Sequence, residues 1–277
     1  MLIAKLIPKF PNGRETLAVL EAKPLGLLLI DYVNWACRLI PPRPRKVTIE
    51  PTLTADPRWK NLGSDAKALL RRVSKGDNLA PALSLRALHN GFTPATSSAA
   101  PLTDKWADKD FLLITMGYHH LHLSQQTEPS GYSKRTNDVL FAHVTRERFN
   151  AIGFFDHSVF ERSDPALQAM TAERKRLWQV FEQRNSFGQK PGAVYLVNPI
   201  ATSGHSLSHA RLAAEFSNIV YSIDHRLDNV AERSKIFSTV PHDSVKAMKL
   251  QWHFDYLDFR LFDKTSSNFF VLKYGLL

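Results

Sequence analysis

A single cysteine, Cys37, is all that 277 residues supply, which excludes an internal disulfide and a cysteine-based structural zinc site. Long hydrophobic runs are missing too. The nearest, Leu25 to Ile30, falls far short of the roughly 18 uncharged apolar residues that a membrane-spanning helix requires. Nor does Met1-Leu2-Ile3-Ala4-Lys5 open a signal peptide, since Lys5, Lys9 and Arg14 interrupt any apolar segment and no small-residue cleavage site follows. The expectation is a cytoplasmic protein without a membrane partner. Several signatures of chemistry are lacking as well: no GxGxxG, no Walker A sequence, no GxSxG and no CxxC occurs, so no recognisable dinucleotide, P-loop or serine-hydrolase element is present.

Acidic residues are in short supply. With 26 Asp+Glu against 36 Lys+Arg the net charge is +10, and phosphate-rich partners, meaning nucleic acid with RNA favoured over DNA, are the expected ones. The basic residues are spread over Arg43 to Lys46, Lys67 to Arg72, Lys134-Arg135, Arg146 to Arg148 and Arg174 to Arg176. That spread implies a folded basic surface rather than a disordered arm. A hydrophobic content of 44% is ample for a core, and the length suggests one or two domains.

Periodicity then divides the chain. Helical spacing predicts helices over 14–21, 24–40 (ended by Pro41-Pro42), 62–73 and 80–89, so that residues 1–92 form a helical N-terminal region. Small and polar residues over 93–109 read as a loop or linker. Residues 110–277 read as an α+β core: apolar runs at 110–116, 139–144 and 149–160 around a histidine-rich strand, with a loop over 125–137. A helix over 164–185, capped by Asp164 with Pro165 at its first position, a short strand at 193–197 and a second long helix over 205–229 follow. Two strands, 248–262 and 268–276, close the chain. The predicted fold is α+β: N-terminal helices followed by a mainly antiparallel sheet flanked by two long helices.

The least random stretch is Gly117-Tyr118-His119-His120-Leu121-His122-Leu123-Ser124. In an extended strand the period of two puts His119, Leu121 and Leu123 on one face and His120 and His122 on the other, an open one. Histidine titrates near neutrality and can act as base and acid in turn, which is what metal-independent RNA cleavage requires. His120 and His122, with His119 of the same triplet, are therefore candidate catalytic residues. Arg135 from the adjoining loop would stabilise charge on the transition state, and Lys134 would bind substrate.

A second constellation, Thr202-Ser203-Gly204-His205-Ser206-Leu207-Ser208-His209, places a Gly/Ser turn at a helix start, where backbone N–H groups can hold phosphate. Ser203, Gly204, His205 and His209 are candidate substrate-binding residues. His205 and His209 also have the i, i+4 spacing of a metal pair, yet Ser206 stands where HExxH has its glutamate. A metal site gathered from His120, His122, Asp156 or His157 with His205 and His209 is an alternative; no metal or cofactor is expected in the leading reading.

Three stretches carry a resemblance. Gly76-Asp77-Asn78-Leu79-Ala80-Pro81-Ala82-Leu83-Ser84, Gly117 to Leu123, and Arg135-Thr136-Asn137-Asp138-Val139-Leu140-Phe141 together resemble a group of uncharacterised bacterial proteins with a GD-L-P-LS segment, a G-HHLHL strand and an R-T-D-LLF strand. The likeness covers roughly residues 30–160. Helices followed by a small antiparallel sheet with His and Arg on one face are similar to RelE/barnase-type endoribonuclease toxins. Those toxins are much shorter, so the N-terminal helices and the region after 190 lie outside the likeness. The resemblance implies an endoribonuclease, the toxin of a toxin–antitoxin or phage-defence system, partnered by an antitoxin or regulatory protein. Two other classes stay open: a non-catalytic nucleic-acid-binding or regulatory module using the basic surface, Tyr118 and Tyr132, and a metal-dependent hydrolase.

Overall fold

The computed structural model describes residues 19–84, 87, 105–161, 170–190, 192–193, 197–202 and 204–277, with backbone alone for 105–110. The chain is α+β, as expected, and falls into two compact units. One holds Arg38–Ser208; the other joins the residues up to Cys37 to His209–Leu276. The division expected from the sequence, at 93–109, therefore runs through the interior of one unit. Described residues 19–37 and 209–276, far apart in sequence, build the other together.

In the Arg38–Ser208 unit the sheet has four strands, β1 (Lys46–Ile49), β2 (Tyr118–His122), β3 (Asp138–Val144) and β4 (Arg148–Asp156), in the order β1-β4-β3-β2. β2, β3 and β4 run antiparallel; β1, which the sequence reading did not anticipate, adds parallel to β4 from Lys46↔Arg148 to Ile49↔Ala151. Between β1 and β2 come, among others, the helices α2 (Pro51–Thr54) and α3 (Trp59–Lys75). On α3, Ala66, Leu69, Leu70 and Val73 are buried at helical spacing while Lys67 and Arg71 are exposed. Gly76, left-handed at φ +80°, closes that helix. Of the predicted helix over 80–89, the described residues show a 3₁₀ turn, Ala80–Ala82, and a helical Ala87; 85, 86, 88 and 89 lie outside the described residues.

The apolar run 110–116 is not a strand. It is the last part of α4 (Lys105–Met116), which takes in part of the predicted linker as well. An unbroken apolar run fits a buried helix as well as a buried strand, and here Gly117, at φ +69° with its N–H donated to Leu113 O, ends the helix and turns directly into β2. The next long helix, α5 (Ala172–Ser186), is capped by Thr171, whose side chain accepts from Arg174 N. Asp164, the expected cap, lies outside the described residues, as do most of the predicted helix at 14–21 and most of the predicted strand at 193–197. Under the sheet the core gathers Leu112, Met116, Tyr118, Val139, Phe141 and Phe155 with Phe160, Leu177 and Phe181.

The other unit packs α1 (Leu25–Ala36) and α6 (Leu207–Ile223) on a three-stranded antiparallel sheet, β5 (Leu250–Asp255), β6 (Asp258–Asp263) and β7 (Asn268–Lys273), in that order. The predicted strand over 248–262 is thus two strands, because Tyr256, at φ +53°, turns the chain back after Asp255. Helix α6 ends at Ile223, short of the expected 229; α7 (Val230–Ile236), capped by the Asn229 side chain, and α8 (His242–Ala247) follow. Tyr32, Phe216, Phe254, Phe259 and Trp252 form the aromatic core, with Phe254 and Phe259 stacked at 4.5 Å. His209 belongs here: it is buried, and its Nδ1 lies 2.8 Å from Asn34 Oδ1, tying α6 to α1.

Candidate functional site

Register decides what the histidine strand presents. Tyr118 pairs with His143, His120 with Phe141 and His122 with Val139, while His119 and Leu121 face the other way with Ala142 and Leu140. The expected alternation is present, but the face bearing His120 and His122 is not open. The 3₁₀ turn His157–Phe160 and α5 cover it. The His120 ring lies 4.8 Å from Phe160 and 6.0 Å from Phe141, and His122 is only 5% exposed. His119, also 5% exposed, is buried on the opposite face. The reason is apolar: β3 and β4 carry Val139, Phe141 and Phe155 on the same side, and burying these rings brings the turn and α5 down over the histidines.

At the edge of this cover His122 meets His157. Their rings stack at 5.8 Å between centroids with 26° between planes. The turn carrying His157 is held from several sides. Asp156 accepts from the backbone N–H and the hydroxyl of Ser158, at 2.8 and 2.6 Å; Thr171 donates to Ser158 O; and the Glu173 carboxylate accepts from Asp156 N. His157 Nδ1 lies 2.7 Å from Asn137 O. A carbonyl can only accept, so Nδ1 carries the proton and, in the neutral ring, Nε2 is left as the acceptor. Burial alone would raise the Asp156 carboxyl, yet the Ser158 hydrogen bonds and the charges of Arg58 and His157 hold it below the usual carboxylate range. Further along the same face, burial pushes the Tyr118 phenol up to about 12, and burial together with the Arg184 charge pushes His143 down.

Arg58 locks this corner. Its guanidinium donates to Asp56 Oδ1 and Oδ2 (2.9 and 2.8 Å), Asp138 Oδ1 (3.1 Å), Glu173 Oε2 (3.2 Å) and Phe154 O (2.8 Å). It thereby ties the start of β3 and the first turn of α5 to the end of β4. Arg176 adds bonds to Glu173 and Asp56 and lies 3.9 Å over the Phe155 ring. Sequence reasoning missed this network, and no local signal could have found it, because its members come from four separate stretches. Beside it runs a cleft of about 560 Å³ lined by Asp56, Glu173 and Gln179. Every donor of Arg58 is spent within the protein, which makes the network a fastening rather than an anion site.

Lys134 and Arg135 are exposed on the loop between β2 and β3, and Arg135 lies two residues before Asn137, the partner of His157. Gly204 is buried and left-handed, and its N–H is donated to Ala201 O; Ala201 N donates to His205 O and Leu207 N to Pro199 O. The turn thus takes up the Gly204 amide, one of those expected to hold phosphate, within itself. Ser203 lies outside the described residues. His205 precedes α6 instead of standing on it, so the i, i+4 pairing with His209 is not a helical one, and His209 Nδ1 bonds to Asn34. Among the described residues no group of three or more His, Cys, Asp or Glu side chains converges to hold a metal ion, and none of their helices is long and apolar enough to cross a membrane.

Comparison with protein-family models, curated proteins and solved structures returns no match. The site offers two imidazoles in contact, one with a fixed tautomer and half-buried, at the foot of an exposed basic loop.

Proposed function

We propose that the chain is a metal-independent ribonuclease in which His122 and His157 form the acid–base pair. The observation that carries this reading is the stacked His122–His157 contact, with the Nδ1–H of His157 committed to Asn137 O. In the step envisaged, one imidazole takes the proton of a ribose 2′-hydroxyl, whose oxygen bonds to phosphorus. The bond from phosphorus to the 5′-oxygen breaks, and the second imidazole protonates that oxygen, leaving a 2′,3′-cyclic phosphate. Lys134 and Arg135 supply positive charge for the phosphate. His120, packed against Phe141 and Phe160, passes from the catalytic role that spacing alone suggested to one of support.

The test is labelled mixed-sequence RNA incubated with and without EDTA. Cleavage that survives EDTA, yields cyclic phosphate and falls at least about 100-fold in His157→Ala, within the usual range for a lost general acid or base, is the expected result. Full activity in both His157→Ala and His122→Ala overturns it. We extend the reading to a cytoplasmic toxin restrained by an antitoxin or regulatory protein: expression of the wild-type chain should arrest bacterial growth, whereas His157→Ala should not. One observation favours a nucleic-acid-binding module without chemistry, the burial of His122. A gel shift with no cleavage in any lane would select that module.

A further inference from the structure

The sheet β5-β6-β7 has one face committed to the aromatic core of its unit and one face turned outward. Trp252, Phe254, Phe259 and Leu261 are buried on the inner side. On the outer side Gln251 pairs with Phe262, Phe262 with Phe269, His253 with Arg260 and Arg260 with Val271. This face carries aromatic rings where solvent-facing strands ordinarily carry polar residues. Phe269 is 47% exposed and Val271 39%. The rings are contiguous: Phe262 and Phe269 at 4.7 Å, His253 and Phe269 at 5.0 Å, and the Arg260 guanidinium 5.9 Å from the Phe269 centroid.

Charge surrounds the rings on one side. Lys264 N donates to Lys249 O at 3.1 Å, so these two exposed lysines stand together at the end of β5 and β6 beside Phe262, and exposed Lys246 is close in sequence. Arg260 is paired with Asp255 and Asp258, so the lysines supply the net positive potential. Flat rings on an open antiparallel sheet, bordered by cations, suit unpaired bases on a phosphate backbone: every base has a face to stack, and the lysines neutralise the chain that links them. A duplex offers no such faces.

We infer that the outer face of β5-β6-β7 is a binding platform for single-stranded RNA, with Phe262 and Phe269 as its stacking surface and Lys249 and Lys264 as its phosphate contacts. The choice of RNA rests on the ribonuclease reading above; the stacking geometry is independent of it. The platform is a site apart from the histidine pair, in the other compact unit.

The test is a fluorescence-anisotropy titration of the full chain with a labelled 2′-O-methyl RNA oligonucleotide. That probe lacks the attacking hydroxyl, so binding is read without cleavage. Phe269→Leu keeps apolar bulk and removes the ring. It should weaken single-strand binding about five- to hundredfold, the range for loss of one base–aromatic stack, while a duplex of the same sequence binds the variant and the wild type alike. Phe269→Trp should bind at least as tightly as wild type, which separates a lost ring from a damaged sheet. Replacing Lys249 and Lys264 by Gln should lower the slope of log affinity against log salt by about 1.4, two contacts at about 0.7 each. Wild-type affinity in Phe269→Leu overturns the platform, as does self-association of the chain that the same substitution abolishes, which would assign the face to a second copy. Binding that persists in His157→Ala without cleavage would leave the platform standing whether or not the acid–base reading survives.

Discussion

His157 shows how a single residue acquires its properties from distant ones. The ring is aimed by a carbonyl 20 residues earlier in the chain, and its turn is fixed by Ser158, Asp156 and Glu173. His143, on the face shared with Tyr118, has the opposite character: its Nδ1 is buried with no hydrogen-bond partner among the described residues, and its pKa is pushed below the ordinary 6.5 by burial and by Arg184. The unfolded chain therefore takes up a proton at His143 more readily than the folded one. This contribution to stability is complete above pH 6.5 and is lost as pH falls below it. Urea midpoints measured between pH 7 and 5 should fall, and fall less in His143→Gln. Gly76 carries a backbone requirement instead: at φ +80°, a Cβ would stand 2.5 Å from Pro44 N and 2.6 Å from Pro44 Cδ. Gly76→Ala should lower stability by more than about 1 kcal/mol, since left-handed strain and the clash act together; chemical denaturation reads this directly.

Between elements, the Arg58 network is the main electrostatic fastening in the Arg38–Ser208 unit, joining the segment before α3 to β3, β4 and α5. The Asp56 side chain is 4% exposed, so removing its main partner leaves a buried carboxylate to the longer 3.4 Å contact from Arg176. Arg58→Ala should cost about 3 kcal/mol, measured by equilibrium unfolding. Arg58→Lys should recover little, because an ammonium cannot fork to the several acceptors that the guanidinium spans. Burial tends to raise Asp56, but the hydrogen bonds from Arg58 and the charges of Arg58 and Arg176 outweigh it, and its pKa lies below the ordinary 3.8. The sign is that of a depressed carboxylate: its stabilisation is present above 3.8 and is lost as pH falls through the folded value. Acid unfolding should begin below about pH 4, and the slope of stability with pH there should be shallower in Asp56→Asn. At this scale β3 and β4 were legible as apolar runs, and periodicity found β2, α1 and α3 from their alternation or helical spacing. It failed at 110–116, where a continuous apolar run has no polar side to reveal its period, and at 256, where one left-handed residue divides an apolar stretch into two strands.

For the whole molecule, contacts divide the chain in a way that its order does not. One unit is the run Arg38–Ser208 with Leu277; the other joins distant stretches, α1 packing with α6 and the C-terminal sheet through Tyr32, Phe254 and the Asn34–His209 bond. Two compact units in 277 residues depart from the size range in which one cooperative transition is the rule. Hydrogen exchange under rising denaturant should release the amides of β5–β7 and those of β2–β4 at different concentrations. Coincident release would show a single cooperative block.

By itself the sequence determined the properties that are local or additive. These are a basic chain with one cysteine, an α+β composition, strands and helices where alternation or helical spacing is clean, and a histidine-rich strand with its residues sorted onto two faces. Only the tertiary structure decided that the His120 and His122 face is covered and that His122 meets His157. It also decided that the Gly204 amide is taken up within its own turn and that Phe262 and Phe269 face outward. Each of these depends on which strand pairs with which and in what register, and register is set by burying apolar surface contributed from distant parts of the chain.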